Sequence, residues 1–291
     1  MINSLYKYMP FRESFFENFL LRASQRNSLN DPFEMEPSIE WWTNLELDKM
    51  IYSGRFGKNK EEIYQYIRKQ KLNSTWKHLG TDIFEENGII SFTETKENIL
   101  MWSHYSKNHS GIVLEFDIKN SFFTEKFKDK NDKYLGIPQK VLYRKERVKE
   151  LNYLYEPYFH KSLEWAYEQE YRMMLKLSKS DKIIIKESKC DNEFIANCID
   201  PVCNGKLICS EQKSKEVEKS SLNTSLIKNE NTMFMYKIPE ESIKSIYLGF
   251  KISSEDKNKL LRLVKQDVLK HIKIYQAQIH DINYSLNFIE I

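Results

Sequence analysis

The amino-acid sequence predicts an α+β fold in which a mostly antiparallel sheet is flanked by helices and interrupted by a helical insertion. The chain has 291 residues, of which 41% are hydrophobic, enough for one large core and a single domain over residues 1–291. Short strand-like segments bounded by turns recur along most of the chain. Residues 35–87 instead carry apolar positions at helical spacing, which predicts the insertion.

Each element is predicted from its local pattern. Apolar, β-branched or alternating segments indicate strands, which we expect at 5–8, 18–24, 89–93, 111–117, 140–143, 168–177, 183–185, 233–236, 243–248, 272–275 and 284–288. Apolar residues three or four positions apart indicate helices, which we expect at 11–17, within 35–87, and at 97–107, 155–165 and 254–270. Pro10 ends the first strand, and Asn30-Asp31-Pro32 forms a turn.

Residues 188–231 differ from the rest of the chain and predict a polar, mobile insertion. They contain all four cysteines, Cys190, Cys198, Cys203 and Cys209. The spacing contains no C-x2-C pair of the kind that structural zinc sites use. Reduced thiols are the favoured interpretation, and a metal site at these cysteines stays an open alternative.

The composition argues against several classes of protein. The 45 Lys and Arg stand against 42 Asp and Glu, so the net charge gives little attraction to nucleic acid. Only 8 glycines occur, and neither a P-loop nor a G-x-G-x-x-G motif is present. No apolar run approaches the roughly 18 residues of a membrane span. No signal peptide is recognisable, so we expect a cytoplasmic protein with no membrane partner.

Glu168 and Glu170 are the strongest candidates for chemistry. If 168–177 is a strand, side chains two positions apart share a face, so both carboxylates lie beside Arg172. Neighbouring carboxylates raise the pKa of one member of the pair, which is typical of catalytic sites. A solvated strand face with a Glu–Arg ion pair is the alternative.

Two other predicted strands carry polar residues that suit a nucleotide. Ser91 and Thr93 share one strand face and can hold a ribose or an amide, although a plain polar face is the alternative. Lys7 lies beside Tyr8 in an aromatic strand. Its ammonium can meet a phosphate or extend to the surface.

Aromatic and histidine residues complete the candidate site. Trp102, His104 and Tyr105 lie on one helix, where a histidine is more often a structural residue than a catalyst. His109 lies in a turn and is freer to meet a ligand, and Asn30 opens the turn at 30–32. We expect one pocket to hold Ser91, Trp102, Glu168, Glu170 and Arg172.

Seven motifs occur in a fixed order along the chain. They are L-Y-K-Y at 5–8, L-N-D-P-F-E at 29–34, M-W-S-H-Y at 101–105, H-S-G-I-V-L-E-F-D at 109–117, W-A-Y-E-Q-E-Y-R at 165–172, I-Y-L-G-F at 246–250 and N-Y-S-L-N-F at 283–288. Together they resemble a mostly prokaryotic family of domains of unknown function, numbered twenty-nine seventy-one. The resemblance omits the cysteine-bearing stretch, and it implies a link to phage defence or mobile elements.

A second resemblance is to ADP-ribosyltransferases, which split NAD with a basic residue on the first strand, a later S-x-S/T strand and a final E-x-E strand. It implies an ADP-ribosyltransferase-like fold with NAD as substrate. Lys7 would take the basic position, where Arg or His is usual, and Ser91 and Thr93 the second motif. The resemblance implies that Glu170 is the catalytic carboxylate and that Glu168 orients the acceptor.

We therefore expect an intracellular bacterial effector or toxin-like enzyme that hydrolyses NAD or transfers its ADP-ribose to a protein or nucleic-acid acceptor. The residues expected to act in catalysis are Glu170, Glu168, Ser91 and His104, and those expected to bind NAD are Lys7, Tyr8, Asn30, Ser91, Thr93, Trp102, Tyr105, His109 and Arg172. One alternative is a non-catalytic sensor or interaction module of a defence system. Another is a metal-dependent nuclease built on Asp31, Glu34, Glu168 and Glu170.

Overall fold

The computed structural model describes residues 2–45, 61–62, 65–66, 69, 82–150, 152–186, 207–210, 214–217, 224–229 and 231–291. The strands are β1 (Ser4–Met9), β2 (Leu20–Ala23), β3 (Asn87–Thr93), β4 (Ile112–Asp117), β5 (Pro138–Lys140), β6 (Leu142–Arg144), β7 (His160–Ser162), β8 (Glu170–Lys176), β9 (Lys182–Lys186), β10 (Leu207–Ser210), β11 (Ser214–Val217), β12 (Thr232–Lys237), β13 (Ile243–Leu248), β14 (Lys273–Ile279) and β15 (Leu286–Glu290). The α-helices with defined ends are Glu13–Asn18, Asp82–Glu85, Ile99–Tyr105, Ser121–Thr124, Thr224–Lys228 and Ser254–Val264. Short 3-10 helices span Arg26–Ser28, Glu156–Phe159, Leu163–Glu168, Leu177–Lys179, Glu240–Ser242 and Asp267–Leu269.

Two sheets carry most of the strands. The larger has the order β15-β14-β13-β4-β1-β3-β8-β5, and its described pairs are antiparallel except for β13 with β14. The smaller is antiparallel and has the order β10-β11-β9-β12-β2, while β6 and β7 form a separate parallel pair. The predicted α+β fold with a mostly antiparallel sheet is confirmed.

The main core joins the two sheets. Leu5 of β1 and Ile90 of β3 belong to one buried cluster with Leu21 of β2. Because side chains alternate along a strand, Lys7 falls on the same face of β1 as Leu5 and Met9. A charge at such a position is costly unless something compensates for its burial.

The larger sheet opens between β1 and β3. β1 pairs with β4 along its whole length, but it pairs with β3 only at Tyr6 and Thr93. β3 leaves β1 because Ile89 pairs with Ser24 at the end of β2, through backbone hydrogen bonds of 2.8 and 2.9 Å. The two neighbouring strands therefore diverge, and this opening positions the candidate site.

Gly88 allows β3 to approach β2 at this point. A Cβ atom on Gly88 would lie 2.7 Å from Leu177 Cδ2 and 3.2 Å from the carbonyl carbon of Ala23. We expect Gly88→Ala to lower the free energy of unfolding by about 1–3 kcal/mol through overpacking. Chemical denaturation of both proteins measures this difference. Equal stability would mean that Ala23 and Leu177 give way without cost.

Two predicted elements of the central region differ from the structure. Residues 155–165 do not form one helix, because β7 pairs with β6 and separates two 3-10 helices, Glu156–Phe159 and Leu163–Glu168. The strand predicted at 168–177 begins only at Glu170. Both differences affect residues of the candidate site.

The two predicted insertions are described only in part. Within 35–87, the helical residues are 39–45, 61–62, 65–66, 69 and 82–85. Within 188–231, β10 and β11 extend the smaller sheet. Cys209 lies in β10, whereas Cys190, Cys198 and Cys203 lie outside the described residues. Across the described ranges, no helix has the length and apolar character needed to cross a bilayer.

Candidate functional site

A cavity of about 210 Å³ occupies the opening between β1 and β3. Eight of the residues predicted for the site line it, namely Lys7, Tyr8, Asn30, Ser91, Thr93, Tyr105, Glu168 and Glu170. The rest of the lining consists of Tyr6, Ser24, Ser28, Leu29, Glu34, Phe92, Met101 and Lys161. The fold thus brings the polar residues of three adjacent strands, β1, β3 and β8, to one cavity, which we call the first cavity.

Three carboxylates converge on the ammonium of Lys161 beside the first cavity. Its Nζ lies 3.2 Å from Glu34 Oε1, 2.6 Å from Glu168 Oε2 and 3.4 Å from Glu170 Oε2. The Trp165 ring covers the same ammonium, with its centroid 4.6 Å away. Burial alone lowers the pKa of Lys161, but the charges of Glu170 and Glu34 raise it above its ordinary value.

Arg172 is the second cation of this group, and its side chain is fully buried. Its guanidinium holds both oxygens of Glu170, with Nε 2.9 Å from Oε1 and Nη2 3.0 Å from Oε2. Nη2 also pairs with Glu34, and Nη1 donates to the Tyr158 carbonyl at 2.8 Å. Arg172 does not line the first cavity and holds Glu170 from behind. We call Glu34, Glu168, Glu170, Lys161 and Arg172 the ion cluster.

The position of Glu168 in the ion cluster does not follow from the alternation of side chains along a strand. It ends the 3-10 helix Leu163–Glu168, and Gln169 adopts the left-handed conformation with φ of +46°. The prediction that Glu168 and Glu170 share one face of a single strand is wrong, because β8 begins at Glu170. Both carboxylates nevertheless contact Lys161.

The two carboxylates have opposite pKa shifts. Burial raises the pKa of Glu168, and the charge of Glu170 adds to the rise, against the effect of Lys161. Burial also favours the neutral form of Glu170, but the charges of Arg172 and Lys161 outweigh it and lower its pKa to about 2. Glu170 is therefore ionised at neutral pH, while Glu168 is the stronger base. Such a pair is typical of sites that separate a charged role from a proton-transfer role.

Lys7 provides a cation on the other side of the first cavity. Its Nζ donates a hydrogen bond of 2.7 Å to the Ser91 carbonyl and so crosses the opening between β1 and β3. Burial lowers the pKa of this ammonium to about 8, and the charge of Glu170 opposes that effect. An ammonium has three donors. In the described part of the chain, no carboxylate lies within 4 Å of Nζ, so donors remain for a ligand.

Tyr105 connects the aromatic helix to the ion cluster. Its hydroxyl donates to Glu168 Oε1, and burial followed by the charge of Glu168 raises the pKa of Tyr105. Asn98 caps the helix Ile99–Tyr105, and its amide donates to the Tyr167 carbonyl at 2.7 Å. These contacts hold a neutral phenol against Glu168.

Three other predicted residues lie outside the lining of the first cavity. Trp102 is fully buried, and its Nε1 donates to the Lys96 carbonyl at 2.8 Å. His104 is exposed and contacts the Tyr167 hydroxyl at 3.2 Å through Nδ1. His109 lies in the turn before β4 with φ of +67°. Trp102 therefore has a packing role, and neither histidine lines the first cavity.

Sequence reasoning missed Lys161, which is the centre of the ion cluster. It lies in β7, within a segment whose pattern predicts a helix. The motif at 168–172 contains two acids and one arginine, which indicates that a second cation is needed. It does not indicate where in the sequence that cation lies. Pairing between β6 and β7, which joins residues far apart in sequence, supplies its position.

The arrangement does not match the nuclease hypothesis. Three of its carboxylates converge, but the Lys161 ammonium occupies the point between Glu34, Glu168 and Glu170. Asp31 points to its own turn, where Oδ1 accepts a backbone hydrogen bond of 2.9 Å. Over the described ranges, no group of three or more His, Cys, Asp and Glu residues is arranged to hold a metal ion.

Comparison with known proteins finds one similarity, in the middle of the chain. Residues 101–173 match the family model described as protein of unknown function, DUF2971. The match covers about a quarter of the 291-residue chain. The matched segment includes Lys161, Glu168, Glu170 and Arg172, which are four members of the ion cluster. No curated protein and no solved structure matches the chain, and the resemblance to ADP-ribosyltransferases stays a prediction.

Proposed function

We propose that the first cavity binds NAD and that the ion cluster promotes cleavage of its nicotinamide–ribose bond, with transfer of ADP-ribose to an acceptor or to water. The observation that carries this proposal is the opening between β1 and β3. It joins Lys7 of β1, Ser91 and Thr93 of β3, and Glu170 of β8 around one cavity. These are the three strands on which the ADP-ribosyltransferase resemblance depends.

The charges of the ion cluster suit this reaction. Breaking the bond between ribose C1′ and the nicotinamide nitrogen leaves the electron pair on nicotinamide and positive charge on the ribose. An ionised carboxylate beside that charge stabilises the transition state. Glu170 meets this need because its pKa lies at about 2.

Glu168 has the complementary role. An acceptor hydroxyl or water forms the new bond to C1′ and must release a proton. Glu168 lines the first cavity, and its raised pKa makes it the better proton acceptor of the two. The Tyr105 hydroxyl and the Lys161 ammonium fix its two oxygens, so the carboxylate is held in one orientation.

One observation favours binding without catalysis. Both oxygens of Glu170 already accept hydrogen bonds from Arg172, and Oε2 also accepts one from Lys161. A carboxylate held in this way has little capacity left for a substrate hydroxyl. A sensor that binds a nucleotide and changes a partner contact is therefore the second candidate.

Incubation of the purified protein with NAD labelled in the nicotinamide ring distinguishes these functions. We expect release of free nicotinamide with the wild-type protein. Binding of NAD without release, measured by calorimetry, would support the sensor. Absence of both binding and release from correctly folded protein would overturn the proposal.

Replacing Lys7 by methionine is expected to stabilise the protein and weaken NAD binding. At pH 7 the folded protein must hold an ammonium whose pKa is lowered from 10.5 to about 8. Because Lys7 remains in contact with the cavity, we expect the variant to gain about 1–2 kcal/mol in free energy of unfolding. This is less than the free energy to which the full pKa shift corresponds. The gain should shrink as the pH rises from 8 through 10.5, because Lys7 becomes neutral in both states only above 10.5.

The same variant tests the role of Lys7 in binding. Wild-type affinity for NAD should fall as the pH passes about 8 and the ammonium loses its proton. Lys7→Met should show weaker affinity and no such pH dependence. Calorimetric titrations at pH 7 and 9 measure both effects. A stabilised variant with unchanged NAD affinity would exclude Lys7 as a ligand-binding residue.

A further inference from the structure

A second cavity of about 270 Å³ lies next to the first, and Lys161 lines both. Its lining consists of Phe33, Glu36, Pro37, Arg144, Lys145, Glu146, Arg147, Val148, Pro157, His160, Lys161 and Ser162. The proposed chemistry does not use this second cavity. Lys161 thus belongs both to the lining of the second cavity and to the ion cluster, whose three carboxylates line the first cavity.

The second cavity has an excess of unpaired positive charge. Arg144, Lys145 and Arg147 are exposed, and in the described ranges none of their charged groups has a carboxylate within 4 Å. The acidic residues of the lining are paired elsewhere, Glu36 with Arg26 and Glu146 with Lys149. An anion in this cavity would therefore meet cations that are free to bind it.

Two further side chains of the second cavity indicate that its ligand carries an aromatic group as well as an anionic one. The Phe33 ring is 54% exposed, and the Arg147 guanidinium lies 5.2 Å from its centroid. An exposed ring beside a cation is a platform on which a nucleobase stacks. The His160 side chain is only 9% exposed, and its Nδ1 has no hydrogen-bond partner among the described atoms. Burial lowers the pKa of His160 to about 4, so it meets a ligand as a neutral imidazole.

The surface that carries Arg144 and Arg147 continues beyond the second cavity. A further cavity of about 420 Å³ shares Arg144 and Arg147 with the second cavity and also includes Lys149 and Asn152. Its lining also contains Glu146, Glu150 and Glu156, which balance its three cations, so the excess of positive charge lies in the second cavity. A strand that crosses both cavities would therefore place its phosphates on Arg144 and Arg147, which the two cavities share.

We propose that the second cavity binds single-stranded nucleic acid, with phosphates on Arg144 and Arg147 and a base on Phe33, and that this strand is the acceptor of ADP-ribose. The inference rests on the proposed function, since it names the acceptor. A ring nitrogen or phosphate oxygen of the strand forms the bond to ribose C1′. Nicotinamide leaves with the electron pair of the broken bond, and a proton released by a ring nitrogen passes to Glu168.

Binding of a fluorescent 12-nucleotide single strand, followed by anisotropy, tests this proposal. We expect R144A/R147A to lose at least about tenfold in affinity and to lower the slope of log affinity against log salt by about two. Phe33→Ala should weaken binding with little change in that slope. The control R262A/K265A removes the same charge from exposed positions at the C-terminal end of the helix Ser254–Val264 and should bind like the wild type.

The outcomes separate this inference from the proposed function. Two results together support the inference. Oligonucleotide binding is weakened only in R144A/R147A and Phe33→Ala, and labelled ADP-ribose is transferred to the strand by the wild-type protein. Equal binding by R144A/R147A and R262A/K265A overturns it and leaves NAD cleavage untouched. Displacement of the strand by ADP-ribose alone would assign the second cavity to NAD and also overturn it. Strand binding without any NAD cleavage would instead contradict the proposed function.

Discussion

Replacing Glu170 by glutamine is expected to slow nicotinamide release by about a hundredfold or more. Glutamine keeps the size of the side chain but removes the charge that would stabilise positive charge on the ribose. Groups that stabilise a transition state electrostatically are each worth a few kcal/mol. Single-turnover measurement of nicotinamide release by the wild-type and variant proteins gives the ratio.

The substitution also affects stability, and the ion cluster explains why. Glu170 is 4% exposed and holds Arg172 through both oxygens. Its loss leaves Glu34 as the remaining carboxylate contact of a buried guanidinium. A loss of activity is therefore informative only at a temperature where the variant is fully folded, as judged by circular dichroism.

Glu115→Gln is the matched control for Glu170→Gln. Glu115 is also a buried carboxylate of the larger sheet, at 8% exposed. It accepts hydrogen bonds from Ser4 at 2.7 Å and Tyr247 at 2.8 Å, and it does not line the first cavity. We expect this control to lose stability and keep its rate of nicotinamide release. Equal rates in wild type and Glu170→Gln would remove Glu170 from the catalytic role and favour the sensor.

The local elements of the site could be predicted from the sequence because they depend on nearby residues. The strands that carry Lys7 and Ser91 follow from apolar segments bounded by turns. The hydroxyl positions on β3 then follow from the period of two. These predictions require no knowledge of which strands are neighbours, and the sheet order β1-β3-β8 places them together.

The centre of the site could not be predicted because it depends on contacts between distant segments. Lys161 reaches Glu34 across more than a hundred residues of sequence. The left-handed Gln169 redirects Glu168 before β8 begins, and strand periodicity contains no signal for such a turn. The pKa of each acid depends on the burial of the ion cluster, and that burial is a property of the complete fold.

The opening of the sheet is a further feature that single elements do not predict. It arises because β3 has partners other than β1. One edge of β3 pairs with β8 along its whole length, and Ile89 of β3 pairs with Ser24. The sequence indicates a strand at 89–93, but not that one end of this strand turns to the smaller sheet. That turn separates β3 from β1, and the first cavity lies in the resulting opening.

Replacing Arg172 by methionine is expected to be the most destabilising single change in the ion cluster. Arg172 is fully buried between Glu34 and Glu170, so its removal leaves two buried carboxylates with Lys161 as their remaining cation. Breaking a buried pair in this way costs about 3–5 kcal/mol. For a chain of this size we expect a fall in melting temperature on the order of 10 °C.

A double-mutant cycle separates the unpaired charge from the loss of packing. Arg172→Met with Glu170→Gln removes the cation together with its main acidic partner. We therefore expect the double variant to be more stable than the sum of the single changes by about 1–3 kcal/mol. Lys140→Met is the control, because Lys140 pairs with Glu94 at the surface of β5 and is 52% exposed. That control should lose at most about 1 kcal/mol.

If Arg172→Met is as stable as Lys140→Met, the ion cluster adds nothing to stability, and a buried arginine at this position would then have to be explained by function alone.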